Sequence, residues 1–576
     1  LELSKMAKDI VVRVAGEGGE GVISTGELLT KALARSSLRI FAFQTYPAEI
    51  KGGPAMFQVR AAPHELFSHG EQADVLVAFN AEAWELHHTI LKPDGVVLYD
   101  PAEMPSIDGR VASYAVPLSE ISAKQIGVKL TKNVVALGAI GKLVGLPLEP
   151  LVSVIQDKWG RKGEGVVAKN LEALRAGYNY IAEHVPAPIY SIPESKEGRW
   201  LVLKGNQAIA IGATAAGCRY YAGYPITPAS DILEWMAANL PRFDGIVLQT
   251  EDEIAALASC IGASFAGKKA MTATSGPGIS LMVELIGLAS MAEIPVVIVD
   301  AQRGGPSTGM PTKTEQGDLG LAVFGSHGDA PRIVLAPANV EDCLFTTIQA
   351  FNLAEKYQLP VIILTDQYLA QRTESIPYPD LDSVEIVNRK TPTPEDILDG
   401  YKRYKITEDG VSPMALPGMP DALYVADGLE HDEWGHPNLT PANHRRMSQK
   451  RFRKLEFASR ESGFVRIYGS PEASIGVVGW GSTFGPIREA VEEANKRGVR
   501  VAALHTNMVY PLPEKELSEF LAPLKSVIVP ELNYTGQFAV LLKSRFCKDF
   551  HQLNKVEGLP FSSVEILEKI LEVANA

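Results

Sequence analysis

Five short apolar runs, GIVLQT, KKAMTAT, IPVVIVDA, RIVLAP and LPVIILTD, follow one another between residues 245 and 366. Each is too short for a buried helix and rich in β-branched residues, as expected of strands covered on both faces of a sheet. Strands buried on both faces are parallel strands, and parallel neighbours need crossover connections, usually helices. A chain with this pattern is therefore committed to an α/β fold.

The same logic divides the rest of the chain. From Asp9 to about His184, the strand DIVVRVA leads through a glycine loop into the helical GVISTGELLTKALARS. LRIFAF, AMFQVR, ADVLVAF and GVVLYD follow, so a doubly wound, Rossmann-like sheet is expected. TKNVVALGAIGKLVGL opens a helix-rich stretch to about Tyr180, and the proline-bearing VPAPIYSIPESKEG reads as a linker. Residues 384–456 are charged, proline-bearing and weakly periodic, which suggests a long structured arm, functional or packed on a partner. SIGVVGWGS, GPIREAVEEANKRG, VRVAALHT and KSVIVPE then form a third α/β unit. A chain of 576 residues is too long for a single core. The expected division is 1–186, a linker at 187–200, 201–383, the arm at 384–460, and 461–576.

A formal net charge of −13 supplies no basic footprint for a phosphate backbone, which argues against nucleic-acid binding. The four cysteines, Cys218, Cys260, Cys343 and Cys547, form no C-x-x-C pair, so any iron–sulfur cluster belongs to another chain. No disulfide pattern, charged-then-apolar leader or membrane-length apolar run is seen, and a cytoplasmic protein is expected.

Gly16-Glu17-Gly18-Gly19-Glu20-Gly21 matches G-x-G-x-x-G between a strand and a helix. Dinucleotide binding also asks for an acid at the end of the second strand, where Gln44 and Thr45 stand, and Glu17 and Glu20 would repel a diphosphate. A structural tight turn and a site for another phosphate-bearing ligand, such as coenzyme A, remain. Gly18, Gly19 and the Lys51 of a second loop, Lys51-Gly52-Gly53-Pro54, are the candidate residues for the latter.

Four patches in the middle segment carry chemistry. In Tyr224-Pro225-Ile226-Thr227-Pro228, two prolines fix φ on either side of Thr227, whose alternative role, with Ser230 and Asp231, is to cap the next helix. Gln249, Glu251, Asp252 and Glu253 stand where a strand gives way to the helix IAALASCIGA. Glu251 and Asp252 suit the helix dipole, whereas Glu253, followed by an apolar surface, is placed to keep a proton or share one with a ring nitrogen. The hydroxyls and glycines of Thr274-Ser275-Gly276-Pro277-Gly278 suit either a plain strand-to-helix turn or the rim of a flat ligand. Arg303, immediately after IPVVIVD, is placed to hold a carboxylate by a bidentate pair.

Taken in order, YPITP at 224–228, QTEDE at 249–253, TSGPG at 274–278 and QRGGPSTGMPTK at 302–313 resemble the pyrimidine-binding domain of 2-oxoacid:ferredoxin oxidoreductase α subunits. GEGGEGV with YPAEIKGGPA resembles that family's γ domain, fused ahead, and the last segment resembles a transketolase-C-like domain. The resemblance implies thiamine diphosphate, with Glu253 beside pyrimidine N1′ favouring the imino tautomer. It implies cofactor contacts from Tyr224, Pro225, Ile226, Thr227, Ser275 and Gly276, and substrate contacts from Thr227 and Arg303. No G-D-G string is present, so the diphosphate, Mg²⁺ and a [4Fe-4S] cluster are expected on a β partner in an (αβ)2 assembly. Ferredoxin is the expected electron acceptor and coenzyme A the co-substrate. The γ–α fusion and the arm are most similar to 2-oxoglutarate enzymes. Pyruvate or a branched-chain 2-oxoacid, a ferredoxin-independent thiamine enzyme, and a non-catalytic nucleotide-binding scaffold subunit are the alternatives.

Overall fold

The computed structural model describes residues 9–47, 52–107, 111–190, 200–398 and 400–576. Lys51 and most of the expected linker lie outside them. The chain forms two compact units, one of residues up to Leu203 with Arg372–Pro379, the other of Lys204–Gln371 with Asp380–Ala576. Among the described residues, no helix is long and apolar enough to cross a membrane.

The first unit is built on an eight-stranded sheet whose order begins Ala112–Ala115, Leu91–Tyr99, Ala73–Ala78, Ile10–Glu17. These four are parallel, with Val12 opposite Val75 and Val77 opposite Leu98. Beyond Ile10–Glu17 the sheet turns antiparallel, through Pro54–Ala62 and Arg39–Thr45. The sheet is thus mixed rather than uniformly doubly wound. The physical reason is the short, glycine-bearing connection between those two strands, which leaves no room for a crossover helix. The helices Val22–Arg35, Lys132–Leu143, Leu148–Trp159 and Glu164–His184 close a core on Val12, Val14, Leu29, Leu98, Leu137 and Leu174.

The second unit contains a seven-stranded and a five-stranded sheet. In the larger, the strands Ile246–Gln249, Cys218–Gly223, Lys269–Thr274, Val296–Gln302, Pro360–Asp366 and Ile333–Leu335 are adjacent in that order and parallel. Met508–Tyr510 completes the edge, antiparallel to Ile333–Leu335. In the smaller sheet, Val465–Gly469 runs antiparallel to Val501–Thr506, and Ile475–Trp480, Ser526–Glu531 and His551–Asn554 continue in parallel. One apolar core joins both sheets, running from Leu257, Met282 and Ile298 to Val478, Trp480 and Phe538.

Residues 384–460 pack on their own unit. The Arg389 guanidinium donates to Glu355 Oε1 and Oε2 and to the Ser264 carbonyl at 2.6–2.8 Å, and buried Lys269 donates to the Val387 carbonyl at 2.7 Å. The weak periodicity conceals an 18-residue helix, Pro441–Ala458, because cations fill part of its inward face. Lys450 Nζ lies 2.7 and 2.6 Å from the two Glu293 carboxylate oxygens, Lys454 pairs with the same carboxylate, and Arg403 donates to the Glu293 carbonyl at 2.6 Å. All four side chains are fully enclosed. Burial pushes the Glu293 carboxyl up, but Lys450, Lys454 and Arg403 outweigh it and hold the group well below the carboxylate range. Burial draws Lys454 down to about 7.

Removing one partner from a buried ion cluster leaves an uncompensated charge. Glu293→Gln is therefore expected to destabilise the second unit by about 3–5 kcal/mol, seen as a lower unfolding midpoint and faster proteolysis within 384–460. Adding Lys450→Met and Lys454→Met is expected to recover much of the loss.

Candidate functional site

Because the strands Ile246–Gln249, Cys218–Gly223, Lys269–Thr274 and Val296–Gln302 are parallel and adjacent, their four following loops leave the same edge of the sheet. Those loops carry Thr250–Glu253, Tyr224–Pro228, Ser275–Gly278 and Arg303–Thr314. The chain passes from the Cys218 strand to one neighbour and later to the other, so strand order reverses there. A crevice at such a reversal is the ordinary ligand position of an open α/β sheet.

The loop after Cys218–Gly223 is held from below. Asn206 Nδ2 donates to the Pro228 carbonyl at 2.7 Å, and Ser230 N to the Ile226 carbonyl at 3.0 Å. The helix Ser230–Asn239 has no side-chain cap, so Thr227 is not its cap. Thr227 instead offers its carbonyl to Arg303 Nη1 at 2.7 Å, while Arg303 Nη2 donates to the Thr308 carbonyl at 3.2 Å. Arg303 is 8% exposed, and its Nε is enclosed without a partner. Thr227 and Arg303, paired by the sequence reading, are thus brought together through main-chain carbonyls that aim the guanidinium. Tyr224 is 42% exposed at the mouth of this loop.

Asp252 caps the helix Glu253–Phe265, its Oδ1 accepting from Ala255 N at 2.8 Å, as its residue type suggested. Glu253 behaves differently. It is only 5% exposed, and among the described residues its carboxylate accepts no hydrogen bond. Gly278 leaves it room: a Cβ there would lie 2.0 Å from Thr274 Oγ1, 2.7 Å from Glu253 Cγ and 2.8 Å from Glu253 Oε1. Beside it, Ser275 starts the helix Gly276–Met291 without using its side chain as a cap, and its enclosed Oγ has no partner. Glu253 and the 274–278 turn therefore lie side by side, with Ser275 Oγ left enclosed and unpartnered.

The structure adds residues that sequence reasoning did not single out. Asp300 stands opposite Thr274 in the parallel ladder and is fully buried, with both carboxylate oxygens unpartnered. Asp318 N donates to Gln302 Oε1 at 3.0 Å, and the enclosed Asp318 Oδ2 is also unpartnered. A Cβ on Gly276 would lie 2.6 Å from that oxygen. Burial and the neighbouring Asp318 charge raise Asp300 well above the carboxylate range. Burial and Glu315 push Asp318 up to about 6 against the pull of Arg303. The one sequence signal was an aspartate ending the apolar run IPVVIVD.

In the first unit, some of the glycine turn's amides are engaged by neighbouring protein atoms. Gly18 N donates to the Gly53 carbonyl at 2.9 Å, and Glu17 N to Glu20 Oε2 at 2.8 Å. Asn80 Nδ2 donates to the same Glu20 oxygen at 2.9 Å. Gly19, at φ 104°, lies in the turn itself. These bonds brace the turn.

An open α/β sheet with a crevice at its strand reversal is a ligand-binding architecture, and its relatives place it in the thiamine-domain oxidoreductase class. Residues 211–450 match the family model "Pyruvate flavodoxin/ferredoxin oxidoreductase, thiamine diP-bdg". Residues 11–180 match "Pyruvate ferredoxin/flavodoxin oxidoreductase", and 473–560 match "Pyruvate:ferredoxin oxidoreductase core domain II". The chain is 33% identical to the 2-oxoglutarate oxidoreductase subunit KorA of Mycobacterium tuberculosis, over 97% of this chain and 90% of that one. It is 40% identical to the 2-oxoglutarate synthase subunit KorA of Methanocaldococcus jannaschii, over 62% of this chain and 94% of that one. The solved 2-oxoglutarate:ferredoxin oxidoreductase of Magnetococcus marinus, with 2-oxoglutarate, coenzyme A and succinyl-CoA bound, superposes with a TM-score of 0.94. It shares 43% identity over 98% of this chain and 100% of that one. The chain belongs to the 2-oxoacid:ferredoxin oxidoreductase family, as an α subunit.

Gly278→Ala is expected to force the Glu253 carboxylate out of place, at an overpacking cost of about 1–3 kcal/mol. The check is a lower unfolding midpoint, with a loss of turnover in the assembled enzyme that exceeds what the shift in stability explains.

Proposed function

We propose that this chain is the α subunit, with its N-terminal segment as the γ domain, of a cytoplasmic enzyme that oxidatively decarboxylates 2-oxoglutarate to succinyl-CoA and reduces ferredoxin. The observation that carries the reading is Glu253, a nearly buried carboxylate at the rim of the strand-reversal crevice with no hydrogen-bond partner among the described residues. The 43% identity to a solved enzyme carrying 2-oxoglutarate and coenzyme A supports the choice of substrate.

The residues fit the pyrimidine half of thiamine diphosphate. The Glu253 carboxylate is free to take a ring N–H, and Gly278 and the unpartnered Ser275 Oγ leave space and a polar contact beside it. Tyr224, Pro225, Ile226, Thr227 and Gly276 complete that rim. The bound cofactor supplies the electron sink that lets a 2-oxoacid lose CO₂ and release two electrons. This chain's part is to hold a proton at pyrimidine N1′ with Glu253 and to bind the substrate carboxylate with Arg303, whose guanidinium Thr227 and Thr308 already orient. The sequence contains no G-D-G string, and we assign the diphosphate, Mg²⁺ and the [4Fe-4S] cluster to a β partner in an (αβ)2 assembly. Coenzyme A is the acyl acceptor. Gly18, Gly19 and Lys51 of the first unit are the residues we assign to the region that admits it.

The test is anaerobic purification of the complex, followed by 2-oxoacid-dependent dye reduction with and without coenzyme A. Coenzyme A-dependent reduction with 2-oxoglutarate in preference to pyruvate and branched-chain acids is expected, and preference for another acid would reassign the substrate. Glu253→Gln in the complex is expected to lower kcat by about 10²–10⁴-fold with the fold retained. Arg303→Lys is expected to raise KM for the 2-oxoacid by about 10–100-fold, the value of a charge-assisted pair. Turnover undiminished by Glu253→Gln would leave the scaffold-subunit reading in its place.

A further inference from the structure

The loop from Arg303 to Asp318 forms no helix or strand of its own, yet it is closed at its root on both sides of the arginine. Before Arg303, Gln302 Oε1 accepts from Asp318 N at 3.0 Å. After it, Gly304 N donates to the Lys313 carbonyl at 3.0 Å and Gly305 N to the Glu315 carboxylate. Arg303 thus sits in a ring of chain whose returning limb is 313–318. Its guanidinium is aimed by the carbonyls of Thr227 and Thr308, and Thr308 belongs to this same loop. Where the loop is held therefore decides where the guanidinium points.

The returning limb is held by the C-terminal segment. Gln316 is fully buried, and its main-chain and side-chain polar groups all end there. Its N donates to the Leu532 carbonyl at 2.7 Å, and its carbonyl accepts from Asn533 Nδ2 at 3.0 Å. Its Oε1 accepts from Leu532 N at 3.1 Å, and its Nε2 donates to the Trp480 carbonyl at 3.3 Å. Gln537 repeats the clamp one step on, donating from Nε2 to the Gly317 carbonyl at 2.7 Å and accepting on Oε1 from Gly320 N at 2.8 Å. The socket is set before the limb enters it. Asn533 Oδ1 accepts from Gly536 N at 2.7 Å, and a Cβ on Gly481 would stand 2.7 Å from Gln316 Nε2, so that position has to be bare. Buried amides are costly to leave unpaired, and bonds in several directions leave the limb one favoured position.

We propose that Gln316 and Gln537 are positioning residues that fix Arg303 for the substrate carboxylate, so that the C-terminal sheet takes part in substrate recognition through the loop it clamps. The inference rests on the reading of Arg303 as the carboxylate-binding residue. A bidentate pair asks for a guanidinium that is already oriented, since one that is free must be ordered at the expense of binding. With the limb released, the Thr308 carbonyl drifts and the guanidinium keeps only its anchor on Thr227. The loss falls on binding of the 2-oxoacid, because Glu253 stands on a different loop and keeps its place.

The test uses the assembled enzyme and whichever 2-oxoacid it turns over. Gln537→Leu removes both outer clamp bonds at a half-buried position, and Gln316→Leu removes the two inner side-chain bonds. Each is expected to raise KM for the 2-oxoacid by about 3–10-fold, with kcat changed less. Hydrogen–deuterium exchange across 303–318 should quicken in both. In an Arg303→Lys background the same substitutions should move KM by less than about twofold, because the group they aim is gone. Glu293→Gln, which weakens the same unit through the arm, should lower the unfolding midpoint and leave KM where it was. An unchanged KM in Gln537→Leu, an equal rise in the Arg303→Lys background, or an equal rise in Glu293→Gln overturns the positioning role. Unquickened exchange in Gln537→Leu overturns the clamp itself. Gln537→Leu carries these outcomes even where Gln316→Leu fails to fold. Arg303→Lys alone separates failure of the parent reading: an unchanged KM there removes Arg303 as the carboxylate site and this inference with it. A KM raised by Arg303→Lys and unmoved by Gln537→Leu overturns this inference only.

Discussion

Everything at the candidate site depends on the parallel register of four neighbouring strands. Gly223 lies opposite Gln249, and Thr274 opposite Asp300. Parallel pairing sends every chain off the same edge, so loops separated by as many as 80 residues in sequence meet without any of them being long. Antiparallel pairing of the same strands would scatter them to both edges. The register also sets which side chains share a face, and it places an aspartate behind the turn that meets Glu253.

Most of the site architecture was legible because its signals are local. Apolar runs of strand length announced the sheet, and a carboxylate at the start of an apolar helix, Glu253, announced its own burial. A proline on either side of Thr227 announced a stiff loop. Arg303 stood out for following a buried strand. At Thr227, where sequence offered a helix cap or a site residue, the structure shows no cap and instead a contact 76 residues away, the Arg303 guanidinium on its carbonyl. Spacing cannot reveal such a bond.

Two features were illegible for a different reason: each depends on charges buried together from distant segments. Asp300 and Asp318 gain their character from each other and from Gly276. The helix Pro441–Ala458 breaks the apolar periodicity that marks buried helices because Lys450 and Lys454 point inward to Glu293, a residue some 160 positions earlier. In the N-terminal segment the glycine spacing of a phosphate loop is present, yet Glu20 and the Gly53 carbonyl take up amides that such a ligand would use. A pattern of glycines describes where a backbone can bend, and the atoms that come to fill the bend decide what it holds.

The short strand Met508–Tyr510 illustrates how tightly the last third of the chain is bound into the middle. It leaves the C-terminal sheet after Val501–Thr506 and pairs antiparallel with Ile333–Leu335, sealing the border of the large sheet. The seam is reinforced beside it by Asn507, whose carbonyl accepts from Ala336 N at 2.7 Å and whose side chain reaches Asp342. A fragment ending after the arm would present Ile333–Leu335 as a raw apolar border, open to pairing with any other strand. The C-terminal segment thus supplies the strand that closes the border of the large sheet as well as a sheet of its own.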